Sequence, residues 1–212
     1  MQAFENKNGA PILRGMVETI QENKDYLGEI DGLIGDGDHG MNMNKGFSLF
    51  GERHLSGDIA FTDGLSELGA VLLEEIGGSM GPIYGTIFME MADAGDGNDT
   101  IDLALFAQMM RAGLEGLEAI VDAKVGDKTL VDTLAPAVDA LTEAEAEGKG
   151  FAEALLAATF AAKEGQESTK DLVAKFGRSS RLGERSRGVI DAGATSCYLL
   201  LKSMMEGIAK QI

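Results

Sequence analysis

Three aspartates, Asp31, Asp36 and Asp38, stand close together on a glycine-rich turn reading DGLIGDGDHG. Carboxylates so crowded repel one another, and hard oxygen donors suit Mg2+, which takes a few carboxylates and completes its shell with substrate phosphates. A second reading stands beside this one: a solvated acidic turn in which Asp38 caps the following helix. His39 either hydrogen-bonds a phosphate or satisfies that helix start. The spelling Gly35-x-Gly37-x-x-Gly40 matches a dinucleotide fingerprint, but that motif needs a preceding strand and would set Asp36 and Asp38 against a pyrophosphate. No Walker A lysine follows Gly40, because Met41 stands there. An EF-hand loop counted from Asp36 would need a Glu at its twelfth position, which Phe47 occupies.

A local inversion of charge supplies the second group. Arg178, Arg181, Arg185 and Arg187 are four of the 18 basic residues, gathered in a stretch that also holds Ser179, Ser180 and Ser186. Arginine favours bidentate contact with phosphate or carboxylate. The bland alternative is a basic loop paired with the protein's own acid. The stretch Gly77-Gly78-Ser79-Met80-Gly81-Pro82 reads as a helix start, with a proline just inside the helix after glycines. Asp127-Lys128-Thr129 is taken as the cap of the helix after it.

The elements that must position these residues are helical. Leu103, Phe106, Met110, Leu117 and Val121 fall on one face, as do Leu130, Leu134, Val138 and Leu141, and likewise Ala194, Cys197, Leu201, Met204 and Ile208. Earlier helices are expected over Ala10–Leu27, His39–Arg53, Thr62–Ile76 and Gly81–Ala92, giving an all-α domain of about eight helices. No alternating β-branched run indicates a strand. Cys197, the one cysteine, sits in an apolar run and reads as a core residue. Glycine is plentiful at 29 residues against 3 prolines. Gly69 and Gly113 fall inside helical patterns, where they permit close packing, while most others collect at helix junctions, whose exposed N–H groups bind phosphate.

Composition narrows the function classes. The net charge of −17 argues against nucleic acid and anionic lipid as partners. The longest apolar stretch, around Ala154–Ala162, falls short of the roughly 18 residues of a membrane span. The opening MQAFENKNGAPILRG has no apolar core of a secretory signal, so a cytoplasmic protein is expected.

Taken together, DGLIGDGDHGMNMNKGF, IGGSMGPIYGT, GDKTLVDTLAP and GRSSRLGERSRGVIDAGATS resemble, in order and spacing, the nucleotide-binding (ADP-binding) subunit of bacterial dihydroxyacetone kinases over nearly the whole chain. The resemblance implies one domain over 1–212, a closed antiparallel barrel of eight amphipathic helices with the nucleotide at one end. It implies that Asp31, Asp36 and Asp38 hold two Mg2+ ions bridging the phosphates. His39, Gly40, Met41 and Asn42, with Gly78, Ser79 and Met80, would line phosphates and ribose. Leu130 would touch the adenine, Arg178 the phosphates, and Asp191, Ala192 and Gly193 the outer face of the nucleotide. In one version of the family, ADP stays bound, accepts a phosphoryl group from a phosphohistidine protein of the phosphotransferase system, and passes it to a triose held by a dihydroxyacetone-binding partner subunit. In the other version ATP is the donor and exchanges at each turnover. The resemblance also leaves room for a homodimer. No general base for a substrate hydroxyl is evident, which accords with a substrate carried by a partner.

Three positions depart from the family pattern. Met80 stands where a phosphate-facing Ser is expected, Ile120-Val121-Asp122 replaces an Arg-Gly-Lys stretch, and Ala192 replaces a proline. The rival reading is a non-catalytic helical barrel that carries a lipid or serves as a regulatory subunit. Such a barrel has no use for a carboxylate cluster.

Overall fold

Apolar residues at helical spacing yield eight α-helices: α1 (Ala10–Ile34), α2 (His39–His54), α3 (Phe61–Glu75), α4 (Met80–Gly95), α5 (Leu103–Ile120), α6 (Val131–Ala146), α7 (Phe151–Ser168) and α8 (Ala192–Ala209). The structure is a computed structural model and describes residues 2–212. Each helix packs on the next and α8 returns to α1, so the ring closes. Successive helices run antiparallel, most across short connections and α7 to α8 across the longer stretch 169–191. The starts of α2, α4, α6 and α8 therefore gather at one end of an all-α barrel, as expected.

The inward stripes fill the interior. Met16, Phe47, Leu68, Met110 and Leu141 are fully buried, and Phe47 meets Phe88 edge to face at 6.3 Å. Cys197 lies in this core, and burial pushes its thiol pKa up. Glycine lets the helices approach: a Cβ on Gly69 would stand 2.9 Å from the Gly85 carbonyl oxygen, and one on Gly113 would stand 3.0 Å from that of Ile87. Pro136 lies inside α6 and has no N–H, so the Asp132 carbonyl loses its usual partner one turn on. Gly165 of α7 packs there, where a Cβ would lie 2.0 Å from that oxygen.

The expectation of no strands is corrected. β1 (Ala3–Glu5) pairs antiparallel with β2 (Thr100–Asp102), in the register Phe4↔Ile101. Both strands have three residues, too few to show an alternating pattern. They are held by burial of Phe4 and Ile101 and by the edge contact of Phe4 with Phe61 at 5.4 Å. Among the described residues no helix is long and apolar enough to cross a membrane.

Candidate functional site

A cavity of about 370 Å3 opens at the end where α2, α4, α6 and α8 begin, within the roughly 300–1,000 Å3 of small-molecule sites. All four starts line it, through His39, through Ser79 and Met80, through Leu130 and Val131, and through Ala192 and Gly193. Helix starts present unsatisfied N–H groups and the positive end of the helix dipole, so four of them together favour an anion. The N-cap residues Asp38, Ser79 and Leu130 make no side-chain capping bond. Asp191 does cap α8, where its Oδ2 accepts the Ala194 N–H at 2.8 Å. Burial pushes the Asp191 pKa up to about 6.

The three aspartates sit on the α1–α2 turn at the cavity wall. Asp31 lies in the last turn of α1 and its Oδ2 faces the His39 N–H at 3.4 Å. A Cβ on Gly35 would stand 2.4 Å from Asp31 Oδ1, and Gly37 takes φ +77°, so the turn needs glycine at both positions. One oxygen from each of Asp31, Asp36 and Asp38 lies within 4.8 Å of the others. Partial burial, and then the charge of Asp36, raise the Asp38 pKa, while Arg178 and a hydrogen bond from Asn42 oppose them. Arg178 pairs with Asp36. Asp38 does not spend its carboxylate on capping α2, so the solvated-cap reading loses its main contact. An all-oxygen donor set with carboxylates in mutual repulsion fits a hard divalent cation such as Mg2+.

Other expected site residues divide between the cavity and its surroundings. Leu130 is buried and lines it, with Val121 and Ile83 supplying further apolar surface, and Arg178 and Ser179 line it from the connection before α8. Gly40, Met41, Asn42 and Gly78 do not line it. Gly40 packs on α1, where a Cβ would lie 1.9 Å from the Lys24 carbonyl oxygen, and Met41 is 68% exposed. Asn42 reaches the cluster only through Asp38, and Gly78 stands on an open turn at φ +75°. Of the four clustered arginines, only Arg178 lines the cavity; Arg187 turns to Glu184. The connection expected to be a loop is largely a 3-10 segment, Arg178–Ser186, kinked at Gly183.

His39 is buried, with Nε2 and Ser196 Oγ 2.8 Å apart. Ser196 Oγ is also 2.7 Å from the Tyr84 hydroxyl. Burial holds the imidazole pKa down to about 4 against the pull of Asp31, so the ring is neutral at pH 7. The Asp127-Lys128-Thr129 turn caps α6 through Thr129, whose Oγ1 accepts the Val131 N–H at 3.2 Å, and the turn is bound further. Asp132 also reaches back, accepting the N–H groups of Gly126 at 2.6 Å and Thr129 at 2.7 Å. Asp127 accepts from Lys124 N at 2.8 Å and pairs with Lys175 at 2.5 Å, which lowers its pKa. Ser196, Tyr84 and Lys128 were not singled out as site residues, because their partners are remote in sequence.

A family model for the DAK2 domain matches residues 33–206. The ADP-binding subunit DhaL of the PEP-dependent dihydroxyacetone kinase 1 of Listeria innocua is 38% identical over 190 residues, covering 89% of this chain and 90% of that protein. The ADP-binding subunit DhaL of the PTS-dependent dihydroxyacetone kinase of Lactococcus lactis is 35% identical over 196 residues, covering 91% and 92%. Among solved structures, the dihydroxyacetone kinase from C. freundii in complex with AMP-PNP and Mg2+ has a TM-score of 0.70 at 23% identity, a likeness of fold. That match covers 97% of this chain and 35% of the larger kinase, so the chain spans about a third of its length. With the matched region taking in Asp36 and Asp38, all four helix starts and the Arg178 connection, the chain belongs to the DAK2-domain family, beside the ADP-binding subunits of dihydroxyacetone kinases.

Proposed function

We propose that this protein is a phosphotransferase subunit that holds ADP or ATP with two Mg2+ ions and hands a phosphoryl group to dihydroxyacetone, or a related ketose, on a partner subunit. Residues 1–212 act as one nucleotide-binding domain, which the closure of the helix ring supports. The observation that carries the reading is the meeting of Asp31, Asp36 and Asp38 with four helix starts around one cavity. The relatives matched over nine tenths of their own length are named as ADP-binding subunits of PEP- or PTS-dependent kinases. That favours a phosphohistidine protein of the phosphotransferase system as the donor, and a cytoplasmic place of work.

Phosphoryl transfer asks little covalent chemistry of a protein and much positioning and charge neutralisation. Asp31, Asp36 and Asp38 would hold the metal, which when bound neutralises phosphate charge. The N–H groups at the start of α4 would face the phosphates, and Arg178, beside Asp36 at the cavity wall, would add positive charge. Leu130, Val121 and Ile83 give the base an apolar wall. Neutral His39, steadied by Ser196, orients rather than neutralises.

Mass spectrometry of the ligand released by heating the purified protein with Mg2+ tests this reading. An adenine nucleotide is the expected finding. Fatty acid without nucleotide would replace the proposal with the lipid-carrying barrel. Rapid ATP turnover with a purified substrate subunit alone would make ATP the donor.

A further inference from the structure

The turn before α6 contains a lysine to which the nucleotide reading gives no task. Lys128 lines the cavity yet is 1% exposed, and it takes φ +63°, a left-handed conformation that non-glycine residues seldom adopt. Its ammonium donates to the Thr169 carbonyl at 2.5 Å, just past α7, and to the Val189 carbonyl, on the way into α8. Thr169 is itself bound to the cap of α8, since its Oγ1 accepts the Asp191 N–H at 3.0 Å. Burial lowers the Lys128 pKa, and the neighbouring charge of Asp191 opposes that shift. A buried ammonium persists only where such partners surround it.

The residue beside it grips the other arm of the same connection. Asp127 pairs with Lys175 Nζ, and its carbonyl accepts the Lys175 N–H at 3.2 Å. Lys175 lies three residues before Arg178, and Val189 lies two before Asp191. One rigid turn, itself fixed by Asp132, thus holds both ends of the segment that brings Arg178 and the start of α8 to the cavity.

We propose that Lys128 is a positioning residue for the nucleotide, holding Val189–Gly193 so that the start of α8 faces the cavity, while Asp127 holds the arm that carries Arg178. The inference rests on the nucleotide reading. Calorimetric titration of ADP with Mg2+ into the wild type, Lys128→Met, Asp127→Asn and Leu141→Ala tests it, each at a temperature where circular dichroism shows it folded. Leu141 is a fully buried core residue outside the cavity lining and serves as the stability control.

Lys128→Met is expected to weaken binding about tenfold or more, the scale seen when a positioning partner is lost. It should also speed amide exchange at Ala192–Ala194. Leu141→Ala should lower the melting temperature and leave affinity unchanged. Asp127→Asn should weaken binding less, and it decides the matter if Lys128→Met does not fold. Wild-type affinity in the folded variants overturns the inference. So does weaker binding without faster exchange at Ala192–Ala194, which makes Lys128 a direct contact. A wild type that takes up no ADP with Mg2+ overturns the nucleotide reading itself, a separate result.

Discussion

The two ends of the barrel close their helix starts to different degrees. At the end holding the N-terminal segment, side chains satisfy them: Asn6 Oδ1 accepts the Thr62 N–H of α3 at 3.1 Å, Asp102 caps α5 through Leu105 N at 3.0 Å, and Gln2 Oε1 accepts the Phe151 N–H of α7 at 3.1 Å. Asn6 also donates to Asn98 O and Thr62 Oγ1. At the cavity end Asp191 caps α8, Thr129 Oγ1 accepts the Val131 N–H of α6 at 3.2 Å and Asp31 Oδ2 faces the His39 N–H of α2 only at 3.4 Å, while Ser79 makes no side-chain cap on α4. The uncapped start of α4 and the long contact at α2 leave backbone groups for an anion at the cavity end. Where an orphan donor finds its partner separates a structural end from a functional one.

That contrast breaks most sharply at Asp36. Asp36→Asn should cut phosphoryl transfer by roughly 100-fold or more, because a weakened metal site no longer neutralises the phosphates, with the melting temperature little changed. A coupled assay with partner subunits that finds full activity would separate the cluster from the chemistry. Next in size, ADP with Mg2+ should stabilise the protein by about 2.7 kcal/mol at a hundredfold excess over Kd. The shift in melting temperature should vanish with EDTA.

At the sealed end the pattern should reverse. Asn6→Ala removes buried hydrogen bonds and should cost about 2 kcal/mol in denaturant unfolding, with ADP affinity untouched. The smallest effect concerns Asp191, whose folded pKa of about 6 lies above its ordinary value of 3.8. Between those values the native state holds more protons than the unfolded state, so stability falls as pH rises, by about 1 kcal/mol per pH unit from this group. Asp191→Asn should remove that slope from the pH dependence of unfolding in the ligand-free protein.

The helices were legible in the sequence because each buries one stripe, and periodicity reports a stripe directly. Ends were less so: α1 continues past Leu27 to Ile34 through Gly28 and Gly32. The aspartate turn was legible because its three ligands are local. The contacts that organise the rest are not. Ser196 lies 157 residues from His39 and 112 from Tyr84, and the partners of Lys128 lie 41 and 61 residues away. No window along the chain contains both members of such a pair.

Eight is an even number, and in an up-and-down ring parity decides where the chain leaves. α8 runs away from the cavity, and Gln211 comes to rest against the Asn8 carbonyl at 3.1 Å. The first and last described residues therefore lie on the far side from the mouth. A polypeptide appended at either of them would not cross the opening, so the barrel can be spliced into a longer chain with its mouth still clear for whatever docks there. In the C. freundii kinase the matching fold makes up about a third of a longer chain.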